Sequence, residues 1–383
     1  KMQAITTNAR TIRNISLRNL CQRFSSGFSN YESEGVRVLQ LHRQEALNSL
    51  DLKLATTIRN QFSNWTDNDI VSCVILKGSG GYFCGGADLD WLAQNTSKAP
   101  ELFSALGNLH KEIAAYPKNL VTIMNGDVNG SGMGLANTKF RVVKSNTSFS
   151  VPEASLGLIA DGSVLKMLSN CDKENNLPLA SYLALTGLPI HAHDMMRFGL
   201  ATHQLGEENT IDALIHHLAS LSISNSPNYV QDTLSMYCEW DASLDIDEVT
   251  KSVLGSDIPE EEEGWSSEMK QLLIDSFQCD TVEETWDRLA SRDDPWSQSA
   301  LVGMQGAPPL SLLATKRLIL ECGKLNTMDS ITLTERVATR LAISDTFKNV
   351  VKRIERGDQA PETTIDQIRA VTTDQVSELF DKV

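Results

Sequence analysis

Short apolar runs that stop at glycine turns, each followed by a helically spaced segment, constrain this chain more than any other feature. "IVSCVILKG" (70–78) is β-branched, apolar and too short for a helix, so it predicts a buried strand. The residues that follow, "GSGGYFCGGADLDWL" (78–92), form a glycine turn and enter a helical pattern near Asp88. "NLVTIMNG" (119–126) and "NGDVNGSGMGLA" (125–136) repeat that order of strand, glycine turn and helix. "GVRVLQLHR" (35–43) and "FRVVKSNTSFSV" (140–151) supply further strands, and "ALNSLDLKLATTIRNQFSNW" (46–65) has helical spacing. Strand and helix alternate over the first 225 residues, which predicts an α/β fold.

With 383 residues, 41% of them apolar, the chain can bury a large core and a second lobe. It has no run of eighteen apolar residues for a membrane span. Its seven cysteines include no CxxC pair, which fits reduced thiols better than a disulfide framework or a zinc site. Charge is uneven. Residues 1–31 hold Lys1, Arg10, Arg13, Arg18 and Arg23 and no acid, leaving 29 basic against 49 acidic side chains elsewhere. Such a segment is expected to be a mitochondrial presequence or a basic N-terminal arm. From Cys238 to Pro295 there are 18 acids against four basic residues. Four divisions are therefore expected: an arm at 1–31, an α/β core at 32–225, an acidic helical insertion or cap at 226–306, and a helical region at 307–383.

The glycine turns place backbone N–H groups where a ligand can approach closely, at the start of helical segments. Two such turns converging on one point would form an oxyanion hole. Neither contains GxxxxGK[ST], "GSGMGL" lacks the third glycine of a dinucleotide fingerprint, and the chain has no GxSxG or HExxH. Cys84 is expected to be a packed residue. The histidines at 191, 193, 203, 216 and 217 form no metal set. Glu153 follows Pro152 at the end of a strand and precedes the apolar "ASLGLIA". Desolvation there would raise its pKa and suit it to proton transfer, although a helix N-terminal acid is an equal reading. Asp161, before Gly162, is most simply a turn residue.

Together these segments resemble the crotonase (enoyl-CoA hydratase/isomerase) superfamily, and within it the 3-hydroxyisobutyryl-CoA hydrolase branch. "ALNSL" (46–50), "ILKGSGGYFCGGADL" (75–89), "NGDVNGSGMGLA", "FRVVKSNTSFSVPEASLGLIADG" (140–162) and "YLALTG" (182–187) occur in the family's order, and the likeness runs from about residue 35 to 365. The resemblance implies a spiral of ββα units holding an acyl-CoA thioester, with coenzyme A part of the substrate and no separate cofactor or metal. It implies an oxyanion hole from the backbone N–H groups of Ala87 and Ser131. It makes Glu153 and Asp161 the catalytic acids, and it puts Ala46, Asn48, Gly85, Gly86, Asp88, Gly130 and Gly132 at the substrate. Three departures stand out: Ser131 replaces a glycine, "GSVLKML" replaces a glycine run after Asp161, and Lys348 and Asn349 replace an acid–Gly pair. Bulk at Val164, Leu165 and Lys166 is expected to press on the acyl pocket. Two functions follow from the resemblance. One is a thioester hydrolase of the mitochondrial matrix, acting in valine breakdown. The other is a structural component of the mitochondrial small ribosomal subunit, whose basic arm would meet ribosomal proteins or rRNA.

Overall fold

The computed structural model describes residues 27–171, 176–222, 228–241 and 265–381. Its strands are β1 (Phe28–Ser33), β2 (Val36–Leu41), β3 (Cys73–Lys77), β4 (Tyr82–Cys84), β5 (Asn119–Met124), β6 (Asp127–Asn129), β7 (Phe140–Val143), β8 (Ser148–Ser150), β9 (Ile190–His191), β10 (His203–Leu205) and β11 (Cys238–Asp241). One sheet has the order β1-β2-β3-β5-β7-β10-β11, and a smaller one has β4-β6-β8-β9. β2, β3, β5, β7 and β10 run parallel. Parallel neighbours cannot be joined by a tight turn, so helices cross between them. The first, α1 (Leu52–Thr66), is capped by Asp51 and buries Leu54, Ile58, Phe62 and Trp65 at helical spacing.

Short turns, glycine-bearing after β3 and β5 and Lys144–Thr147 after β7, let the chain pass from one sheet to the other. β3 leads to β4, β5 to β6 and β7 to β8, each time from the large sheet to the small one. A helical segment follows each pair: α2 (Leu89–Gln94) with α3 (Ala99–Ala114), then a 3-10 turn at Gly130–Ala136, then a 3-10 turn at Pro152–Leu156 with α4 (Gly162–Asn170). This is the expected spiral of ββα units. The large sheet is buried on both faces. Val74 and Leu76 face the spiral's core, while Cys73 and Ile75 face a second apolar cluster. That cluster is closed by α7 (Ile211–Leu221) and α8 (Tyr229–Tyr237), numbered after α5 (Asn176–Thr186) and α6 (Ala192–Arg197).

Two boundaries fall elsewhere than composition suggests. β1 starts at Phe28, within the segment expected to be an arm, and pairs antiparallel with β2. β11 and α8 lie within the segment expected to be an insertion, yet β11 pairs with β10. Edge strands have a single hydrogen-bonded neighbour and need little apolar alternation, so composition misplaces them.

The remaining helices are α9 (Ser267–Phe277), α10 (Val282–Ala290), α11 (Pro295–Gln305), α12 (Pro309–Lys324), α13 (Thr327–Ile343), α14 (Asp345–Arg356), α15 (Ile365–Ala370) and α16 (Thr373–Glu378). α5 is buried on all sides from Pro178 to Thr186, so it sits inside the protein with α9, α11 and α12 packed on it. Tyr182 of α5 stacks on Trp296 at 5.4 Å and meets Trp265 and Phe277 edge-on. The described helices of the acidic segment therefore share the main core, while Glu268, Asp280, Glu284 and Asp287 stay exposed. The four-glutamate run at 260–263 lies outside the described residues.

Candidate active site

The strand-to-helix turn after β4 is set by the segment Ala46–Leu50. Leu47 and Asn48 take left-handed backbone angles (φ 54° and 58°), which turn the chain back along residues 85–88. The Gly85 N–H then donates to Leu47 O (2.8 Å), the Leu50 N–H to Gly86 O (2.8 Å), and the Asp88 N–H to Leu50 O (3.0 Å). In this short parallel bridge, Leu50 stands opposite Ala87 and uses the groups on either side of it. The Ala87 N–H is left without a hydrogen bond among the described residues, and Ala87 lines a cavity. Asn48 is fully buried. Its Oδ1 accepts from the Arg43 N–H, and its Nδ2 donates to Ser79 O and Tyr82 O. Asp88 accepts from Arg43 (2.8 Å) and caps α2. Both side chains brace the turn.

The second glycine turn meets the first. A Cβ on Gly86, itself at φ 86°, would lie 2.8 Å from Asn129 O and 3.5 Å from the Ser131 nitrogen. The two N–H positions expected for an oxyanion hole therefore come from adjacent turns. Gly132 packs so closely on Cys84 that a Cβ would lie 2.5 Å from its carbonyl oxygen. Burial pushes the Cys84 thiol up to about 12, in keeping with a packed residue.

Glu153 stands in the Pro152–Leu156 turn, and its Oε1 accepts from the Ser131 N–H at 3.1 Å. Gly130, at φ 44°, makes room for this, because a Cβ there would collide with the Glu153 carboxylate. Oε2 is cut off from solvent and has no hydrogen-bond partner among the described residues. Burial pushes Glu153 up to about 8; the nearby Asp161 adds to the rise, and the Ser131 N–H opposes it.

Asp161 caps α4 by accepting from the Ser163 N–H at 2.8 Å, so its local role is that of a helix N-cap. It also lies 3.3 Å from Nδ1 of His110, a residue that sequence patterns did not single out. Burial alone would raise the Asp161 pKa, but His110 and the α4 N–H groups outweigh it and hold the carboxyl below the usual carboxylate range. The His110 ring is fully buried on α3 and lies against Gly134, where a Cβ would be 2.6 Å from Nε2. The available signal was a lone imidazole on the apolar face formed by Leu102, Leu106, Leu109 and Ile113.

Ala87, Ser131, Glu153 and Asp161 all line one cavity of about 50 Å³, walled otherwise by apolar side chains that include Leu89, Phe103, Leu106 and Ile331. Gly85 and Gly130 line it as well, whereas Ala46, Asn48, Gly86, Asp88 and Gly132 do not. A profile of the enoyl-CoA hydratase/isomerase family matches residues 36–380. The chain belongs to that family.

Among similar proteins, 3-hydroxyisobutyryl-CoA hydrolase-like protein 1, mitochondrial, from Arabidopsis thaliana is 29% identical, over 90% of this chain and 83% of its own length. The small ribosomal subunit protein mS47 of the same plant is 28% identical, over 90% of this chain and 82% of its own length. The rat 3-hydroxyisobutyryl-CoA hydrolase, mitochondrial, is 27% identical over 90% of this chain and 86% of its own length. A carnitinyl-CoA dehydratase from Mycobacterium thermoresistibile superposes with a TM-score of 0.77, at 24% identity, over 94% of this chain and 97% of its own; it speaks for the fold alone.

Within this enoyl-CoA hydratase/isomerase chain, the bulky residues after Asp161 do not enter the cavity. Val164 and Leu165 are buried on α4 and are not among the lining residues, and Lys166 reaches Gly323 O on α12. The segment departs from the family's glycine run without filling the site. Thr334 and Glu335 of α13, which were not expected at the site, complete the wall. Among the described residues no group of three His, Cys, Asp or Glu side chains is placed to hold a metal, and no helix is long and apolar enough to cross a membrane.

Proposed function

We propose that this chain hydrolyses a short-chain acyl-CoA thioester, of the kind named in its hydrolase relatives, in the mitochondrial matrix. The observation that carries this reading is the pair Glu153 and Asp161. They line one small apolar cavity beside the Ala87 N–H, and their environments drive their pKa values apart. In the ionised state Glu153 takes a proton from water, and the hydroxide adds to the thioester carbonyl carbon. The thioester oxygen, now bearing the charge, replaces Glu153 Oε1 on the Ser131 N–H and accepts from the Ala87 N–H. Collapse of the adduct breaks the carbon–sulfur bond, and the departing thiolate takes up the proton. Asp161 stays ionised beside His110, which keeps the transferable proton on Glu153. The space beside these groups is small and walled largely by apolar side chains, which favours a short acyl group over a long fatty chain.

A second reading is a structural component of the mitochondrial small ribosomal subunit. Two facts favour it: the likeness to mS47 along 90% of the chain, and the Glu153 carboxylate resting on one of the two N–H groups that catalysis needs. Thiol release from 3-hydroxyisobutyryl-CoA by the full chain, with Glu153→Gln as control, separates the two. Hydrolysis predicts turnover that falls by ~100-fold or more in the variant. Release at the variant's level in both proteins would leave the structural reading.

A further inference from the structure

The cavity holds a third carboxylate, and the reaction just described does not use it. Glu335 projects from α13 beside Thr334 and lines the same space as Glu153 and Asp161. Those two have partners, in the Ser131 N–H for one and in the Ser163 N–H and His110 for the other. Glu335 has no hydrogen bond or ion pair among the described residues, and no lysine, arginine or histidine lines the cavity with it. A half-buried carboxylate with no protein donor is satisfied by solvent, and a ligand that displaces that water must supply a donor in its place.

Its position is fixed from two sides. Gly107 lies in the middle of α3, where glycine weakens a helix, and a Cβ there would come 3.1 Å from Glu335 Oε2 and 3.2 Å from Ile331 Cγ2. The bare backbone of α3 is what lets this carboxylate lie over it. On the other side, Thr334 Oγ1 accepts from the Gly162 N–H at 2.9 Å, next to Asp161. The wall that carries Glu335 is thereby joined to the helix start that carries Asp161. Around it, Phe103, Leu106, Ile331 and Ala338 offer no polar group, so Glu335 is the acceptor on that side of the cavity.

We infer that Glu335 determines acyl specificity: it accepts a hydrogen bond from a hydroxyl on a short acyl chain, so that hydroxyacyl thioesters are taken in preference to plain acyl ones. The inference rests on the thioester-hydrolase reading and names what that site selects. A hydroxyl supplies the donor without the desolvation penalty that an ammonium carries on entry, and an amino analogue in the test separates the two. Sites built to bond a substrate hydroxyl reject the analogue that lacks it, by about 10⁴- to 10⁵-fold when fully enclosed. Glu335 is half-buried, so about 10- to 100-fold is the expected range.

The test compares 3-hydroxyisobutyryl-CoA with isobutyryl-CoA in the wild-type chain and in Glu335→Leu, by kcat/KM and by equilibrium binding. The expected result is a 10- to 100-fold preference for the hydroxylated thioester that falls to about one in the variant. A variant that merely packs badly would lose both substrates alike and keep the ratio, and that outcome overturns the inference. So does a wild-type protein with no preference, or one that prefers 3-aminoisobutyryl-CoA. If neither thioester is cleaved but the hydroxylated one binds more tightly, and only when Glu335 is present, the specificity assignment stands and the hydrolase reading falls.

Discussion

Glu153 and Asp161 are eight residues apart in sequence, and burial acts on both, yet their protons are held in opposite ways. The folded protein binds a proton on Glu153 up to about pH 8, whereas an ordinary glutamate releases it near 4.5. The native state therefore holds more protons than the unfolded chain in that window, so this group lowers stability as pH rises through it. Glu153→Gln removes the effect. The variant should match wild type near pH 4.5 and exceed it at pH 9, by about 1–4 kcal/mol in urea unfolding; equal stability at both pH values would count against a buried, proton-holding Glu153. Its base role predicts that kcat/KM rises with pH and levels off above about 8. Asp161 has the opposite sign, because its folded pKa is depressed: its contribution is present above the unfolded value and fades as pH falls through the folded one. Replacing His110 by leucine removes the partner, and wild type should then be the more stable by about 2–4 kcal/mol at pH 7. That gap should narrow at pH 3, as followed by urea midpoints.

At the scale of elements, what the sequence revealed depended on how local each signal was. The strands β3, β5 and β7, the glycine turns after the first two and Glu153 all announce themselves within a dozen residues, through β-branched runs, glycines and Pro152. His110 and Glu335 do not, because what makes them part of the site is α3 meeting Asp161 and α13 meeting α3, contacts that span 51 and 228 positions of sequence. The helices after Pro295 were legible as helices, but that one of them supplies a wall of the cavity was not. The join between α13 and α4 is the contact most open to test. Gly162 lies against Ser330 O and Thr334 Oγ1, with no room for a Cβ. Gly162→Ala should cost about 1–3 kcal/mol, since backbone on one side cannot yield. It should also lower turnover, because Asp161 moves with the helix start. A variant with unchanged urea midpoint and activity would mean that α13 is not seated on α4 in this way.

For the molecule as a whole, charge and core make separate demands. The cavity is lined from Gly85 onward, β1 begins at Phe28, and the main core joins the spiral to the C-terminal helices. Residues 1–26 lie outside the described residues; they hold five basic side chains and no acid in a protein of net charge −15. Removing them leaves a body with a formal charge of −20, whose net field opposes the approach of phosphate. A chain starting at Gly27 should therefore keep its unfolding temperature and its thioester chemistry. Attraction to RNA is different. If those five charges contact phosphates, the full chain should bind single-stranded RNA with a log–log salt slope of about −3 to −4, and the shortened chain should lose most of that slope. Filter binding across a salt series measures both. A full chain that binds no RNA, or the same slope in both proteins, would take the arm out of any RNA-binding role and leave protein contacts as the means of attachment. Turnover that survives the deletion alongside a lost slope would place two roles in one chain, with catalysis in the spiral and attachment in the arm.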